Sequence, residues 1–150
     1  MEPLSLRRAR PNDWPAIAAL LRDAGLPLAG AHAHRDDFVL AFRGGRLVGC
    51  AGLERYGQAA LLRSVAVSAS ERGAGVGRAL VAQALDCARA AGARQVVLLT
   101  ETAADYFARL GFAAIAREAA PEAVRASAEF TGACPETATV MALRLPPGAS

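Results

Sequence analysis

The alternation of apolar and polar positions divides nearly the whole chain into strands and helices. Period-two runs and short apolar runs predict strands, whereas apolar positions three and four residues apart predict helices. The predicted strands are Leu4–Arg10, Phe38–Phe42, Leu47–Tyr56, Ala60–Val67, Arg94–Thr100, Phe112–Arg117 and Thr137–Leu145. The predicted helices are Pro11–Gly25, Arg78–Ala91 and Thr102–Leu110, with further helical turns at Pro121–Ala126. This order predicts an α/β (α+β) fold, in which a mixed, mostly antiparallel sheet of about six to seven strands carries helices on both faces.

Two local signals refine this arrangement. The run Val96-Val97-Leu98-Leu99 is apolar on both faces, which is typical of a buried central strand. Thr102 and Asp105 have the spacing of a capping box, which predicts the start of the third helix.

Length and composition then restrict the class of protein. A chain of 150 residues with 53% hydrophobic and 21% charged residues predicts a single globular domain over residues 1–150. Its net charge of +3 is too small for the basic surface of a nucleic-acid binder. No apolar run reaches the length of a membrane span, and the N-terminus has no signal-peptide pattern, so we expect a cytoplasmic protein with no membrane partner.

Cysteine and histidine usage predicts neither disulfides nor a metal. The three cysteines are an odd number without a Cys-x-x-Cys pair, which favours free thiols in a reducing compartment. His32 and His34 lie close together but lack a nearby third ligand.

A glycine-rich turn joins the fourth predicted strand to the second predicted helix. Its sequence is Arg72-Gly73-Ala74-Gly75-Val76-Gly77-Arg78. Such a turn directs successive backbone N–H groups to one point, and the helix that follows adds the positive end of its dipole. Glycines also let a phosphate approach the backbone closely. The segment therefore predicts an anion site, with a plain strand–helix connection as the alternative.

Two motifs resemble the GNAT family of N-acetyltransferases. The loop Arg72-x-x-Gly75-x-Gly77 is similar to the family's pyrophosphate loop, Gln/Arg-x-x-Gly-x-Gly/Ala. Further along, the segment Tyr106–Phe112 is similar to the end of the family's fourth helix, Tyr-x-x-x-Gly-Phe. The resemblance extends from Leu4 to about Leu145 and implies a GNAT fold.

The resemblance also implies acetyl-CoA as the cofactor. Amides of the loop would hold the pyrophosphate, and the backbone of the preceding strand would pair with the pantetheine like an added strand. In the family, a bulge in that strand opens the slot for the thioester. The cofactor-binding residues implied in this way are Val65, Ala66, Val67, Phe107 and the loop residues Arg72, Gly73, Ala74, Gly75, Val76, Gly77 and Arg78.

The catalytic residues depart from the family pattern. The acid that protonates the leaving thiolate is commonly a Tyr four residues before the Gly of the Gly-Phe pair, and Phe107 occupies that position here. Tyr106 is one residue away, which rotates it by about 100° around a helix. Catalysis by Tyr106 and simple packing of its ring therefore both stay open.

Glu54 is a candidate for the base, and Arg63 is a candidate for acceptor binding. Glu54 lies where the family often places an acid, so it is a candidate base, with an ion pair to Arg55 or Arg63 or simple solvation as the alternatives. Arg63 can clamp an acceptor carboxylate or pair with Glu54. Thr100 and Glu101 end a central strand and are further candidates for acceptor binding.

The run Leu98-Leu99-Thr100, followed by the pair Tyr106-Phe107 before Gly111-Phe112, is similar to amino-acid N-acetyltransferases of the glutamate type. Longer segments resemble the small GNATs encoded in bacterial arsenic-resistance operons. These segments are Gly52–Gly57, Leu61–Ser64, Val124–Phe130 and Cys134-Pro135. By this resemblance, Ser127–Glu136 lies near the acceptor mouth, where Cys134 either binds a trivalent arsenical or packs inertly.

The sequence thus predicts an acetyl-CoA-dependent N-acetyltransferase that acts on the amino group of a small amino-acid-like acceptor. A role in arsenic or amino-acid-analogue resistance is implied by the resemblance alone, as is a possible homodimer. The alternatives are a protein or peptide N-acetyltransferase and a non-catalytic CoA-binding sensor.

Overall fold

The computed structural model describes residues 2–146, and it confirms the predicted order of strands and helices. The strands are β1 (Leu4–Arg8), β2 (Phe38–Arg43), β3 (Arg46–Tyr56), β4 (Ala59–Val67), β5 (Gln95–Thr100), β6 (Ala113–Ala114) and β7 (Thr139–Arg144). The α-helices are α1 (Trp14–Asp23), α2 (Val76–Ala90), α3 (Ala104–Arg109) and α4 (Glu122–Arg125). No helix within residues 2–146 has both the length and the apolar character needed to cross a bilayer.

The strands form one mixed sheet of seven strands in the order β1-β2-β3-β4-β5-β7-β6. Strands β4 and β5 pair in parallel, whereas β1–β2, β2–β3, β5–β7 and β6–β7 pair antiparallel. The predicted mixed sheet with accompanying helices is therefore confirmed.

The parallel pairing of β4 and β5 is short. It joins Ala59–Leu61 to Gln95–Val97, whereas β5 continues to pair with β7 as far as Thr100. Ligands of α/β proteins bind beyond the carboxyl ends of parallel strands, where neighbouring strands no longer pair. The residues that follow Leu61 and Val97 are therefore candidates for a binding site.

The chain divides into two compact units that interleave in sequence. The first comprises Met1–Leu53 with Ser64–Ala84, and the second comprises Glu54–Arg63 with Leu85–Ser150. A single domain over residues 1–150 stays a prediction.

Each unit has its own apolar core. In the first unit, side chains from α1, from the segment that follows it and from three strands are buried together: Ile17, Leu21, Ala31, Phe38, Leu40, Cys50 and Ala66. In the second unit, the start of β4 packs with β5, β7, α4 and the segment before α4 through Ala59, Leu61, Val97, Ala120, Val124 and Val140. Alternate residues of β2 and of the start of β4 point into these cores, and the residues between them are buried as well, so both faces of these strand segments are covered.

Two local predictions are wrong. The strand expected over Phe112–Arg117 pairs only at Ala113–Ala114, and a 3₁₀ turn begins at Arg117. Phe112 is buried, and Ile115 packs against the core of the second unit. The apolar alternation therefore reflects the packing of these two side chains rather than a long strand.

The predicted capping box at Thr102 and Asp105 is also absent. Helix α3 begins after Ala103, and no side-chain hydrogen bond caps this residue as the N-cap. Instead, the Ala103 N–H donates to Thr100 Oγ1 at 3.0 Å. The polar side chain nearest the strand end therefore shapes this turn, and Thr102 does not.

Candidate active site

The glycine loop, residues 72–78, has the backbone geometry of an anion site. Gly73 and Gly75 adopt φ values of +81° and +82°, and open space surrounds the position of a Cβ at each. Helix α2 begins at Val76, and the Ala79 N–H donates to the Gly75 carbonyl at 3.1 Å. Because that bond is the first of the helix, the amides of residues 76–78 precede the intrahelical ladder. These amides and the helix dipole favour a phosphate.

An ion pair anchors the segment that enters this loop. Arg43, the last residue of β2, places Nε 3.1 Å from both carboxylate oxygens of Glu71. Glu71 is buried, whereas Arg72 and Arg78 are exposed. The pair therefore neutralises Glu71 at the loop entrance, whereas Arg72 and Arg78 stay exposed on the loop. The sequence offered no signal for this partnership, because 28 positions separate Arg43 from Glu71 and no periodicity links them.

A break in β4 precedes the loop. Ser64 adopts a φ of +58°, which is uncommon for a residue other than glycine and interrupts regular strand geometry. Ala66, two residues later, is buried in the core of the first unit, and Val65 and Val67 are half-buried. The break agrees with the bulge that the family resemblance implies, whereas pantetheine binding by Val65–Val67 stays a prediction.

In the second unit, β3 and β4 contribute a buried ion pair. Arg63 Nη1 donates to Glu54 Oε2 at 2.7 Å, and the Arg63 side chain is 0% exposed. The Tyr56 hydroxyl donates to the other oxygen, Glu54 Oε1. The ion pair, which was one of two alternatives for Arg63, is therefore confirmed. Arg63 as an acceptor clamp and Glu54 as a base stay predictions.

A second carboxylate from a distant part of the chain joins this pair. Glu129 Oε2 lies 3.6 Å from Arg63 Nη2, and its side chain is 5% exposed. Sequence analysis did not single out Glu129, although it placed the surrounding segment near the acceptor mouth. We refer to Glu54, Tyr56, Arg63, Glu129 and Cys134 as the buried charged cluster.

A wide turn holds Glu129 in this position. The N–H groups of Ala133 and Cys134 donate to carbonyls five residues earlier, at 3.0 and 3.1 Å, respectively. Such π-type turns are rare and recur at functional sites. Arg117 reinforces the segment, since its guanidinium donates to the carbonyls of Phe130 and Pro135.

Burial sets the protonation of the charged cluster. It raises the pKa of Glu129 to about 7, with Glu54 adding to the rise while Arg63 and a hydrogen bond from Cys134 oppose it. Burial and then Glu129 raise the pKa of Cys134 to about 11, which keeps the thiol protonated. Burial and then the bond to Glu54 also raise the pKa of Tyr56, so its hydroxyl stays a donor.

The end of β5 brings the other acceptor candidates to the same unit. Thr100 caps the turn before α3, as described above, and Glu101 is exposed. The charge of Glu101 contributes to the raised pKa of Cys134, so the two side chains are within electrostatic reach of each other. Acceptor binding by Thr100 and Glu101 stays a prediction.

Helix α3 carries the aromatic pair that departs from the family pattern. Phe107 is buried, and its ring contacts Phe112 edge-to-face at a centroid distance of 5.9 Å. Tyr106 is half-buried and packs edge-to-face on Phe107 at 5.2 Å. The structure thus shows the packing alternative for the Tyr106 ring, and its catalytic role stays a prediction.

Metal ligands do not assemble in the described part of the chain. Among residues 2–146, no three His, Cys, Asp or Glu side chains come together as a metal site. His32 instead packs edge-to-face on Trp14, with ring centroids 5.0 Å apart.

Comparison with known proteins identifies relatives over most of the chain. The model of the acetyltransferase (GNAT) family matches residues 5–112. The amino-acid acetyltransferase of Neisseria meningitidis serogroup A is 30% identical in an alignment 131 positions long, which covers 81% of this chain and 30% of that protein. This chain therefore spans less than a third of the length of that relative.

Solved structures of proteins in complex with coenzyme A are also similar to this chain. N-acetylglutamate synthase from Neisseria gonorrhoeae, complexed with coenzyme A and N-acetyl-glutamate, superposes with a TM-score of 0.83 at 27% identity. The alignment covers 97% of this chain and 36% of the synthase. Rv2747 from Mycobacterium tuberculosis, in complex with CoA and NLQ, gives a TM-score of 0.80 at 28% identity and covers 95% of this chain and 99% of that one.

Proposed function

The chain belongs to the acetyltransferase (GNAT) family, and we propose that it transfers the acetyl group of acetyl-CoA to the amino group of a small amino-acid-like acceptor. The observation that carries the proposal is the similarity, over almost the whole chain, to a synthase solved with coenzyme A and N-acetyl-glutamate. The charged cluster supports it, because buried carboxylates suit an acceptor that arrives as an ammonium ion.

The proposed cofactor site uses the backbone of the first unit. Amides of the glycine loop would hold the pyrophosphate of acetyl-CoA, and the exposed side chains of Arg72 and Arg78 would add positive charge. The backbone of Val65 and Val67 would pair with the pantetheine beyond the break at Ser64, while buried Ala66 would hold that strand on the core. Cofactor binding by Phe107 stays a prediction from the family resemblance.

The reaction needs an unprotonated amine at the acceptor. Acetyl-CoA supplies an activated acyl group as a thioester. A base of the protein must take a proton from the acceptor ammonium, and backbone N–H groups polarise the thioester oxygen. We assign Glu54 a positioning role, since both of its oxygens already accept hydrogen bonds from the protein, and Arg63 the role of counter-ion to the cluster.

Departure of the CoA thiolate does not require a strong general acid from the protein. Thiols have an ordinary pKa of about 8.5, so a CoA thiolate leaves without a strong acid. Tyr106 would therefore contribute little, and the replacement of the family's tyrosine by Phe107 is compatible with catalysis.

The proposal includes acceptors related to amino acids. Arsinate and phosphinate analogues belong in the test because segments of the chain resemble GNATs of arsenic-resistance operons. The free thiols of Cys50, Cys87 and Cys134 support a cytoplasmic location. A homodimer stays a prediction that native mass spectrometry tests.

Mass-spectrometric detection of acetylated product tests the proposal. The protein is incubated with acetyl-CoA and a panel of free amino acids, arsinate and phosphinate analogues, and short peptides. We expect acetylation of one or a few free amino acids or analogues. Preferred acetylation of peptides would support a protein acetyltransferase instead, and CoA binding without any product would support a sensor.

A further inference from the structure

The buried charged cluster contains two carboxylates whose surroundings differ. We propose that Glu129, rather than Glu54, is the base that accepts a proton from the acceptor ammonium. This inference rests on the proposed function and assigns a residue to its central step.

The contacts of the two carboxylates separate their roles. Glu54 is engaged at both oxygens, by Arg63 Nη1 at 2.7 Å and by the Tyr56 hydroxyl. Glu129 lies 3.6 Å from Arg63, which is beyond hydrogen-bond distance, and receives a bond from the weakly donating thiol of Cys134. Because fewer strong donors hold Glu129, a proton can be added to it at a smaller loss of protein contacts.

The charge balance of the cluster leaves room for a cation. Glu54, Arg63 and Glu129 are all buried, at 1%, 2% and 4% exposure, respectively. Within the cluster, the guanidinium of Arg63 faces both carboxylates. Buried charges are favourable only when they are well paired. An acceptor ammonium beside Glu129 would give this carboxylate a further cationic partner.

The location of the cluster also fits an acceptor site. Arg63 lies two residues beyond Leu61, where the parallel pairing of β4 with β5 ends. Cys134 is half-buried and within electrostatic reach of exposed Glu101. The segment that carries Glu129 therefore extends from the buried ion pair toward exposed positions in the same unit.

The protonation behaviour of Glu129 suits a base that works near neutral pH. Its pKa is raised to about 7 by burial, with Arg63, Glu54 and Cys134 as the titratable and charged groups that act on it. General bases are most efficient when their pKa lies near the working pH. At that pH a substantial fraction of Glu129 is ionised and still basic enough to take a proton.

The proton transfer balances as follows. An N–H bond of the acceptor ammonium breaks and an O–H bond forms on Glu129, which leaves a neutral amine. The nitrogen lone pair then forms the C–N bond while the C–S bond breaks, and the second amine proton ends on the departing thiolate. Glu129 returns its own proton to solvent.

Glu129→Gln tests this assignment, with Glu136→Gln as the matched control. Glu136 is exposed on the same segment, so the same change there leaves the cluster intact. The measurements are kcat/KM for the acceptor between pH 5 and 9 and the Kd for CoA. We expect kcat/KM of Glu129→Gln at pH 7 to fall by about 100-fold or more, the lower end of what a general base contributes. The Kd for CoA should stay within about twofold.

The shape of the pH profile separates a base from a merely structural residue. In the unaltered protein, kcat/KM should rise with pH and level off above about 7, because ionised Glu129 is the active form. In Glu129→Gln, it should keep rising toward the amine's own pKa, since only free amine then reacts. A folded Glu129→Gln variant that keeps the plateau and the rate would overturn the assignment of Glu129 alone. Failure of the unaltered protein to acetylate any amine would overturn the proposed function and the assignment together.

Discussion

The glycine loop and the buried charged cluster represent two different ways to prepare a protein for a charged ligand. The loop uses partial charges on backbone amides, held by left-handed glycines and one helix terminus, and its residues are mostly exposed. The cluster uses full charges on side chains that are almost completely buried. Backbone amides need no counter-ion, whereas buried ions need partners, so the loop tolerates side-chain changes that the cluster does not.

This contrast first predicts that the cluster depends on Arg63. Arg63→Met removes a guanidinium that faces two buried carboxylates, so we expect the free energy of unfolding at pH 8 to fall by about 3–5 kcal/mol. Arg109→Met, at an exposed position of the same unit, should change it by less than about 0.5 kcal/mol. Urea denaturation measures both. Equal effects of the two substitutions would show that Arg63 is not needed by the cluster.

The second prediction concerns pH and stability. Folding raises the pKa of Glu129 from 4.5 to about 7, so the folded state favours the protonated form. The resulting stabilisation is complete below pH 4.5 and is lost as pH rises through about 7. The glutamine of Glu129→Gln cannot ionise, so the variant does not lose this stabilisation. The free energy of unfolding of the variant minus that of the unaltered protein should therefore increase from pH 5 to pH 8, by at most about 3 kcal/mol.

Urea denaturation at pH 5 and at pH 8 checks this expectation. Glu136→Gln is again the control, and its difference from the unaltered protein should stay constant with pH. If the difference in free energy of unfolding between Glu129→Gln and the unaltered protein does not change with pH, or decreases as pH rises, the raised pKa of Glu129 is contradicted.

The third prediction separates backbone conformation from ligand binding in the loop. Gly75→Ala and Gly57→Ala both place a Cβ on a residue with positive φ, at +82° and +68°, with open space at each site. Each should lower the free energy of unfolding by about 1–2 kcal/mol. Only Gly75→Ala should weaken CoA binding, by about tenfold, because only that residue orients the loop amides. Isothermal titration calorimetry measures the Kd for CoA of both variants. Equal losses of CoA affinity in Gly75→Ala and Gly57→Ala would argue against the loop as the pyrophosphate site.

The smallest effects compare the two tyrosines. Tyr56→Phe removes a hydrogen bond to buried Glu54, which should lower the free energy of unfolding by about 1–2 kcal/mol. Tyr106→Phe keeps the ring that packs on Phe107. Its kcat should fall less than about threefold, or under 1 kcal/mol of activation free energy. A loss of about 100-fold in kcat would restore Tyr106 as the acid.

Local patterns made the loop predictable from sequence and left the cluster only half predictable. Gly73 and Gly75 precede α2 directly and Gly77 lies in its first turn, so the spacing of these glycines alone indicates the backbone geometry. The pair of Glu54 and Arg63 lies on two strands joined by a short turn, and it was one of the alternatives that the sequence allowed. Glu129 follows much later in the chain, and no periodicity links it to Arg63.

The two predictions that the structure contradicts relied on local sequence patterns alone. The alternation over residues 112–117 and the spacing of Thr102 with Asp105 are local signals that tertiary packing overrides. Thr100 takes the capping bond because the end of β5 places its hydroxyl beside the Ala103 N–H. Local signals thus located the elements, whereas long-range packing decided where they end and which side chains meet.

A competition between a free amino acid and a dipeptide with the same N-terminal residue tests the central claim most directly. Both are offered at equal concentration with deuterated acetyl-CoA, for each amino acid in turn, and mass spectrometry measures the labelled products. We predict that, for at least one amino acid, the label enters the free amino acid in preference to the dipeptide. Preference for the dipeptide throughout, or CoA binding with no label transferred to any amine, would contradict the claim.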